Sequence, residues 1–458
     1  MSTEGNEPGR PEPERPGPQG PQGPERPEPG GRGYEGLEPK VAAQLELAVR
    51  EFRRAGIDID FQVAADGGLD FVFQQHVILV RDQYLDQVRR IVGGEPLDGL
   101  IDGVTLYSLD REHSDFPTVL RALAAIDEQL GVGVATPNHL LSTTPVGLCA
   151  ATEPQQVPRD ARPDPGICAD NSGAGVLISV VDTGLLAGAD AHHRWLTGVT
   201  GPTDPVPAVS GGEPHIHAFT GHGTFVAGVA RCMAPDCEIR VARIFALAGA
   251  ALEAEIVKAL DAVLGQGPDI ISLSAGGTSR KDIPLLGFEG FWRRYRHFKG
   301  TVLVAAAGNN GDRRPFWPAA FPDVVSVGAL AANWRSRADF SDYGSWVDVY
   351  APGEGIVNAF ATGVYTCHEP PDIGQHRHFH GMARWSGTSF STPMVAGLIA
   401  ARMSRTGESG RRAADVMLAR AQAQALDGVG AILLPCETGD IRHHEADCCG
   451  HRCRCGRC

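Results

Sequence analysis

The stretch Ser386-Gly-Thr-Ser-Phe-Ser-Thr-Pro-Met-Val-Ala-Gly397 joins a glycine-containing turn directly to an apolar, alanine-rich helix. Such a turn exposes the hydroxyl of Ser389. Its backbone N–H lies at a helix N-terminus, where partial positive charge collects. Pro393 fits the first helical turn, where a missing N–H costs little. A nucleophile needs this geometry if an oxyanion is to form beside it. Taken alone, the same pattern is an ordinary helix cap, so the other segments decide.

Three of them supply what a serine lacks. Val-Val-Asp-Thr-Gly (180–184) puts the carboxylate of Asp182 at the end of a buried-type strand. Gly-His-Gly-Thr-Phe-Val-Ala-Gly (221–228) puts His222 between two glycines at a helix start. A serine at its free pKa is a poor nucleophile, so a neutral imidazole must take its proton. A buried carboxylate then fixes the imidazole's tautomer and stabilises the imidazolium that forms. Asp…His…Ser is one of the recurring chain orders for this trio. Ala-Ala-Ala-Gly-Asn (305–309) adds an amide, Asn309, suited to donate to an oxyanion together with the N–H of Ser389.

These four segments, in this order, resemble the subtilisin-like serine proteases, the subtilase family (peptidase S8), over about residues 175–405. The resemblance implies an α/β fold with a seven-stranded parallel sheet flanked by helices. It also implies peptide-bond hydrolysis through an acyl-enzyme on Ser389, with Asp182 and His222 completing a triad and Asn309 in the oxyanion hole. Ser274, Ala275 and Gly276 resemble the family's substrate-aligning strand, which pairs with an extended peptide by β-augmentation. Ala248 and Gly249 would supply the strand on the other side. Ala307 and Gly308 would join Ala275 and Gly276 around a roomy apolar slot for a large hydrophobic side chain.

Alternating strand and helix patterns extend the parallel α/β reading over residues 166–435. Upstream, residues 40–145 read as a small α/β domain in the order β-α-β-α-β, with room for a further strand near 93–106. Its end, Gly-Val-Ala-Thr-Pro-Asn-His-Leu-Leu (133–141), is similar to subtilase propeptides. That resemblance implies an intramolecular chaperone and inhibitor, removed by a cut between about 136 and 148. Residues 1–39 are a Pro/Gly/Glu-rich leader of disordered composition. Residues 146–165 form a connector, and 436–458 a Cys/His-rich tail.

The chain has 458 residues, a formal charge of −14 and 42% hydrophobic residues. It has no basic surface suited to nucleic acid and no apolar run long enough to span a membrane. Its acidic, polar beginning lacks the basic and apolar regions of a secretory signal, which points to the cytoplasm and a monomer acting on peptides or proteins. No cofactor is required by the chemistry. Asp190, Asp204 and Glu213 fit no calcium-loop spacing, so calcium stays unassigned. Among eleven cysteines, those of the tail stand with His443, His444 and His451 as zinc-ligand candidates, and only Cys455-Gly-Arg-Cys458 has the usual ligand spacing. The 279–299 segment reads as an inserted amphipathic helix, and 361–383, with His376, His378 and His380, as a solvated loop. Two other readings share the residues: a peptide ligase or macrocyclase in which an amine intercepts the acyl-enzyme, and a non-catalytic peptide-binding module.

Overall fold

Eight elements build the first layer of the molecule: α1 (Pro39–Arg54), β1 (Ile59–Val63), β2 (Leu69–Arg81), α2 (Leu85–Val92), β3 (Glu95–Ile101), β4 (Val104–Ser108), α3 (Val119–Leu130) and β5 (Ala135–Ser142). The computed structural model describes residues 34, 36–110, 118–143, 151–169, 172–204, 209–210, 213–246 and 248–435. The leader through residue 33, the 144–148 part of the expected cleavage window and the cysteine tail lie outside the described residues. β2 is central, with β4 and β5 antiparallel on either side, β3 beyond β4, and β1 also paired to β2. The apolar stripes of α2 and α3 (Val88, Val92, Ala122, Leu123, Ile126) pack on Ile78, Val80 and Tyr107. β1 went unread in the sequence, although Ile59-Asp60-Phe61 alternates as strands do. The last strand begins at Ala135, where a strand over 132–135 was expected, and runs on to Ser142.

The second layer begins with β6 (Leu177–Asp182), followed by α4 (Ala189–His192), β7 (Val209–Ser210), β8 (Glu213–Ile216) and α5 (His222–Met233). Next come β9 (Glu238–Arg243), β10 (Ala250–Leu252), α6 (Glu253–Leu264), β11 (Ile270–Leu273), α7 (Leu286–Tyr295), β12 (Val302–Ala306) and β13 (Val324–Leu330). The layer closes with β14 (Val349–Pro352), β15 (Ile356–Thr366), β16 (His376–Trp385), α8 (Thr388–Thr406) and α9 (Gly410–Ala423).

The main sheet is parallel throughout, in the order β14-β13-β12-β11-β6-β9. It has six strands where seven were expected. Beyond its two edges the described residues make only one-residue parallel bridges, Thr200 to Arg240 and Tyr350 to Ile432, too short to add a strand. Helix α8 runs through the core and is buried from Thr388 to Met403. It closes on α5 at Gly397, where a Cβ would lie 2.6 Å from the Cβ of Met233 and 2.7 Å from the carbonyl oxygen of Ala230. Glycine is therefore required there.

Residues 361–383 are not a solvated loop. They form most of a long antiparallel hairpin of β15 and β16. His376, His378 and His380 recur at the strand period and are exposed, or nearly so, while Phe379 is buried against Phe360. The 279–299 segment contains the amphipathic helix α7, whose Phe288, Phe291, Trp292 and Tyr295 are buried. Its outer side meets the first layer, where Arg81 pairs with Glu289 at 2.7 Å. The described residues from Leu37 on thus form one compact unit.

Candidate active site

Strand β6 ends on Asp182, and helix α5 begins on His222. His222 Nδ1 lies 2.7 Å from Asp182 Oδ1, with the two side chains 2% and 0% exposed. The backbone N–H of Thr183 donates to the same oxygen at 2.7 Å. These contacts assign Nδ1 as the protonated ring nitrogen and leave Nε2 as the acceptor. Nε2 is buried and makes no hydrogen bond to any of the described residues. The ring stands edge-on to Trp385 (5.4 Å between centroids) and beside Phe390 (5.5 Å), the residue after Ser389. Gly223 permits this closeness, because a Cβ there would meet Gly184 O at 2.4 Å and Asp182 Oδ1 at 3.2 Å.

Helix α8 starts at Thr388, so Pro393 lies in its second turn and not in the first. The carbonyl four residues before a proline loses its intrahelical donor, and here that carbonyl belongs to Ser389. The hydroxyl of Ser274 replaces the missing donor, at 2.9 Å from Ser389 O. Ser274 therefore braces the nucleophile turn. Asn309 is braced as well: its Oδ1 accepts from the N–H of Thr388 at 2.8 Å and from Oγ1 of Thr388 at 3.0 Å. With that oxygen occupied, the Nδ2 group is the donor left over. The structure thus joins Asp182 to His222 and Asn309 to the turn that carries Ser389, and the ring of Phe390 sets that turn beside His222; the Ser389 hydroxyl is bonded to Thr143 and not to His222 Nε2.

The groove beside it is filled by the chain's own strand. β5 pairs antiparallel with β10, Leu140 opposite Leu252, Leu141 opposite Ala251 and Ser142 opposite Ala250. On its other side Ser142 and Gly276 exchange two N–H···O bonds of 2.9 Å. Thr143 N–H donates to Gly249 O at 3.0 Å, and Ser389 Oγ donates to the carbonyl oxygen of Thr143 at 3.1 Å. Gly249 and Gly276 therefore lie where a peptide is gripped. Ala248 precedes them at φ +48°, and Ala275 and Ala307 are buried. An aromatic ring, Phe316, lies against both glycines of the expected slot. A Cβ on either glycine would fall 2.4 and 2.8 Å, respectively, from Phe316 ring atoms.

Further contacts were invisible in the sequence because they join residues far apart along the chain. His139 on β5 is buried with Glu253 at the start of α6, Nδ1 to Oε2 2.9 Å. Its Nε2 accepts from the N–H of Arg280 at 3.1 Å, while Glu253 Oε1 accepts from Gly287 N–H at 2.7 Å. Asn138 Oδ1 accepts from the N–H of Ala254 at 3.1 Å. Helix α1 is tied down by Glu369, which meets Gln44 at 2.6 Å and Lys40 at 3.2 Å. The connector is held too, by Ala151 N–H to Ser386 O (2.8 Å) and by a two-way pairing of Gln155 with Arg384.

Among the described residues no group of three or more His, Cys, Asp or Glu side chains is placed to hold a metal ion. Asp204 instead accepts hydrogen bonds from Thr183 and Gly221. Cys367 is buried, and burial pushes its thiol up to about 11. No described helix is long and apolar enough to cross a membrane.

The model of the subtilase family matches residues 173–428, more than half of the chain. Thermitase of Thermoactinomyces vulgaris is 32% identical over 250 residues, which cover 52% of this chain and 77% of thermitase. A thermophilic serine proteinase of Bacillus sp. (strain AK1) is 32% identical over 245 residues, or 50% of this chain and 52% of that protein. Among solved structures, fervidolysin from Fervidobacterium pennivorans superposes with a TM-score of 0.55 at 19% identity, covering 79% of this chain and 60% of its own, a likeness of fold. The chain belongs to the subtilase family of subtilisin-like serine peptidases.

Proposed function

We propose that this chain is the self-inhibited precursor of a serine endopeptidase, with residues 37–143 as its own inhibitor. Ser389 Oγ attacks the carbonyl carbon of the substrate while His222 Nε2 accepts its proton. Asp182 holds the Nδ1–H tautomer and stabilises the imidazolium. The oxyanion is met by Nδ2 of Asn309 and the N–H of Ser389. His222 then returns the proton to the leaving amine, and water releases the acyl group by the same route.

One observation carries this reading: β5 lies between β10 and Gly276 as a substrate strand would, and the residue after it, Thr143, sets its carbonyl on the Ser389 hydroxyl. Main-chain pairing of this kind grips a peptide largely independently of its side chains. Cleavage at the end of β5, within residues 143–145, would free the groove. The test compares intact masses of the full chain and Ser389→Ala after incubation. The expected result is a cut at 143–145 in the wild type alone. A cut in both proteins, or an intact wild type inert to peptides, would defeat it.

A further inference from the structure

The segment before α5 contributes one carboxylate, Asp204, that the triad chemistry does not use. It is 5% exposed. Its Oδ2 accepts from the backbone N–H of Gly221 at 2.8 Å and from the hydroxyl of Thr183 at 3.0 Å. That hydroxyl oxygen in turn accepts from the N–H of Gly223 at 3.1 Å. A single carboxylate oxygen therefore reaches the peptide on both sides of His222, directly at Gly221 and through Thr183 at Gly223. Thr183 is also the residue after Asp182, and its N–H donates to Asp182 Oδ1. Asp204 is itself fixed by its own N–H to Leu185 O, 2.7 Å.

We propose that Asp204 is a positioning residue for the reaction, one that sets the place of His222 against Asp182 and Ser389 through Gly221 and Thr183. Asp182 Oδ2 is buried without a hydrogen-bond partner, so the Asp182–His222 geometry rests on Oδ1 alone and on the backbone that carries the two residues. The charged groups facing Asp204 are Asp182 from β6 and Arg243 from β9. Burial pushes the Asp204 carboxyl up to about 6; the bonds from Gly221 and Thr183 and the charge of Arg243 oppose this, and Asp182 adds to it. Mild acidification therefore removes the charge of this acceptor and weakens both bonds without abolishing them. This inference rests on the reading of His222 as the base.

The test uses the full chain and its Asp204→Ala and Asp204→Asn variants, each checked for folding by its melting transition. kcat and KM are measured on a peptide substrate from pH 5 to 9. Misplacing a catalytic group by about an ångström costs about a hundredfold. Asp204→Ala should lower kcat by about 10- to 100-fold with KM changed less than about twofold. The Asn oxygen keeps both acceptor contacts, so Asp204→Asn should recover most of that loss at pH 8 and give a shallower acid limb of kcat/KM. A folded Asp204→Ala with wild-type kcat overturns the proposal, as does an Asp204→Asn with the wild-type pH profile. The second criterion decides alone if the Ala variant does not fold. A wild type that stays inert once the cut at 143–145 is made overturns the reading of His222 as base, and this proposal with it. An active wild type with unaltered variants overturns this proposal alone.

Discussion

Ser389 Oγ and the carbonyl oxygen of Thr143 are 3.1 Å apart, across 246 residues of sequence. The hydroxyl that makes this contact is only as well placed as the start of α8, and that start depends on Ser274. Replacing Ser274 with Ala leaves the buried carbonyl of Ser389 without a donor, because Pro393 cannot supply one. An unsatisfied buried acceptor costs about 1–3 kcal/mol. The urea midpoint of Ser274→Ala, measured in a Ser389→Ala background to prevent autolysis, should fall accordingly. An unchanged midpoint would show that the hydroxyl is not the replacement donor.

Asn309 makes a different kind of contribution. Its Oδ1 is held by Thr388, so Asn309→Ala removes the remaining Nδ2 donor from the oxyanion. Loss of such a donor from a subtilisin lowers kcat about 10²- to 10³-fold. The same drop in kcat is expected here, with KM little altered, since the interaction strengthens only as charge develops. A rise in KM at constant kcat would place Asn309 in ground-state binding instead.

The buried His139–Glu253 pair joins β5 to α6. Glu253→Ala would strand both His139 Nδ1 and the N–H of Gly287. An unsatisfied buried donor costs about 1–3 kcal/mol. In the Ser389→Ala background the melting temperature should drop by several degrees, and Glu253→Gln, which keeps an acceptor, should drop less. Equal, small losses in both would mean that the pair does not fasten the strand.

Asp342 gives the stability a pH dependence. It accepts from the N–H groups of Asn310 (2.7 Å) and Asp312 (3.2 Å) and from Asn310 Nδ2 (3.0 Å). Burial, with Asp312 nearby, pushes its carboxyl up to about 8. An unfolded Asp titrates near about 3.9. Between these values the folded chain holds a proton that the unfolded chain has released. The resulting stabilisation is complete below about pH 4 and is lost as pH rises through about 8. The melting temperature of Asp342→Asn relative to its parent should therefore rise between pH 5 and pH 9, and a constant difference would count against this assignment.

Much of the site was legible because its residues sit in short segments with local reasons to exist. Asp182 ends an apolar strand run, His222 lies between glycines at a helix start, and Ser389 precedes an alanine-rich helix. The segments on either side of β5, Ser274–Gly276 and Ala248–Gly249, were expected through the family resemblance and not from their own sequence. Contacts made across the fold were not legible. Nothing near Asp204 in the sequence shows that it turns toward Gly221, and nothing near His139 shows Glu253. The place of Phe316 against Gly276 was hidden for the same reason, since it arrives from another loop. The hairpin of β15 and β16 was readable from its His-x-His-x-His alternation, but the polarity of that run fits a solvated loop equally well.

The central claim is that Ser389 is the nucleophile and that the chain's own strand stands before it. Its most direct measurement is labelling of the full chain with a fluorophosphonate, followed by mass spectrometry of the modified peptide. The account predicts an adduct on Ser389 that forms faster as the segment ending near Thr143 is cut away, and that is lost in His222→Ala. Labelling of another serine, or peptide hydrolysis that survives in Ser389→Ala, would contradict it.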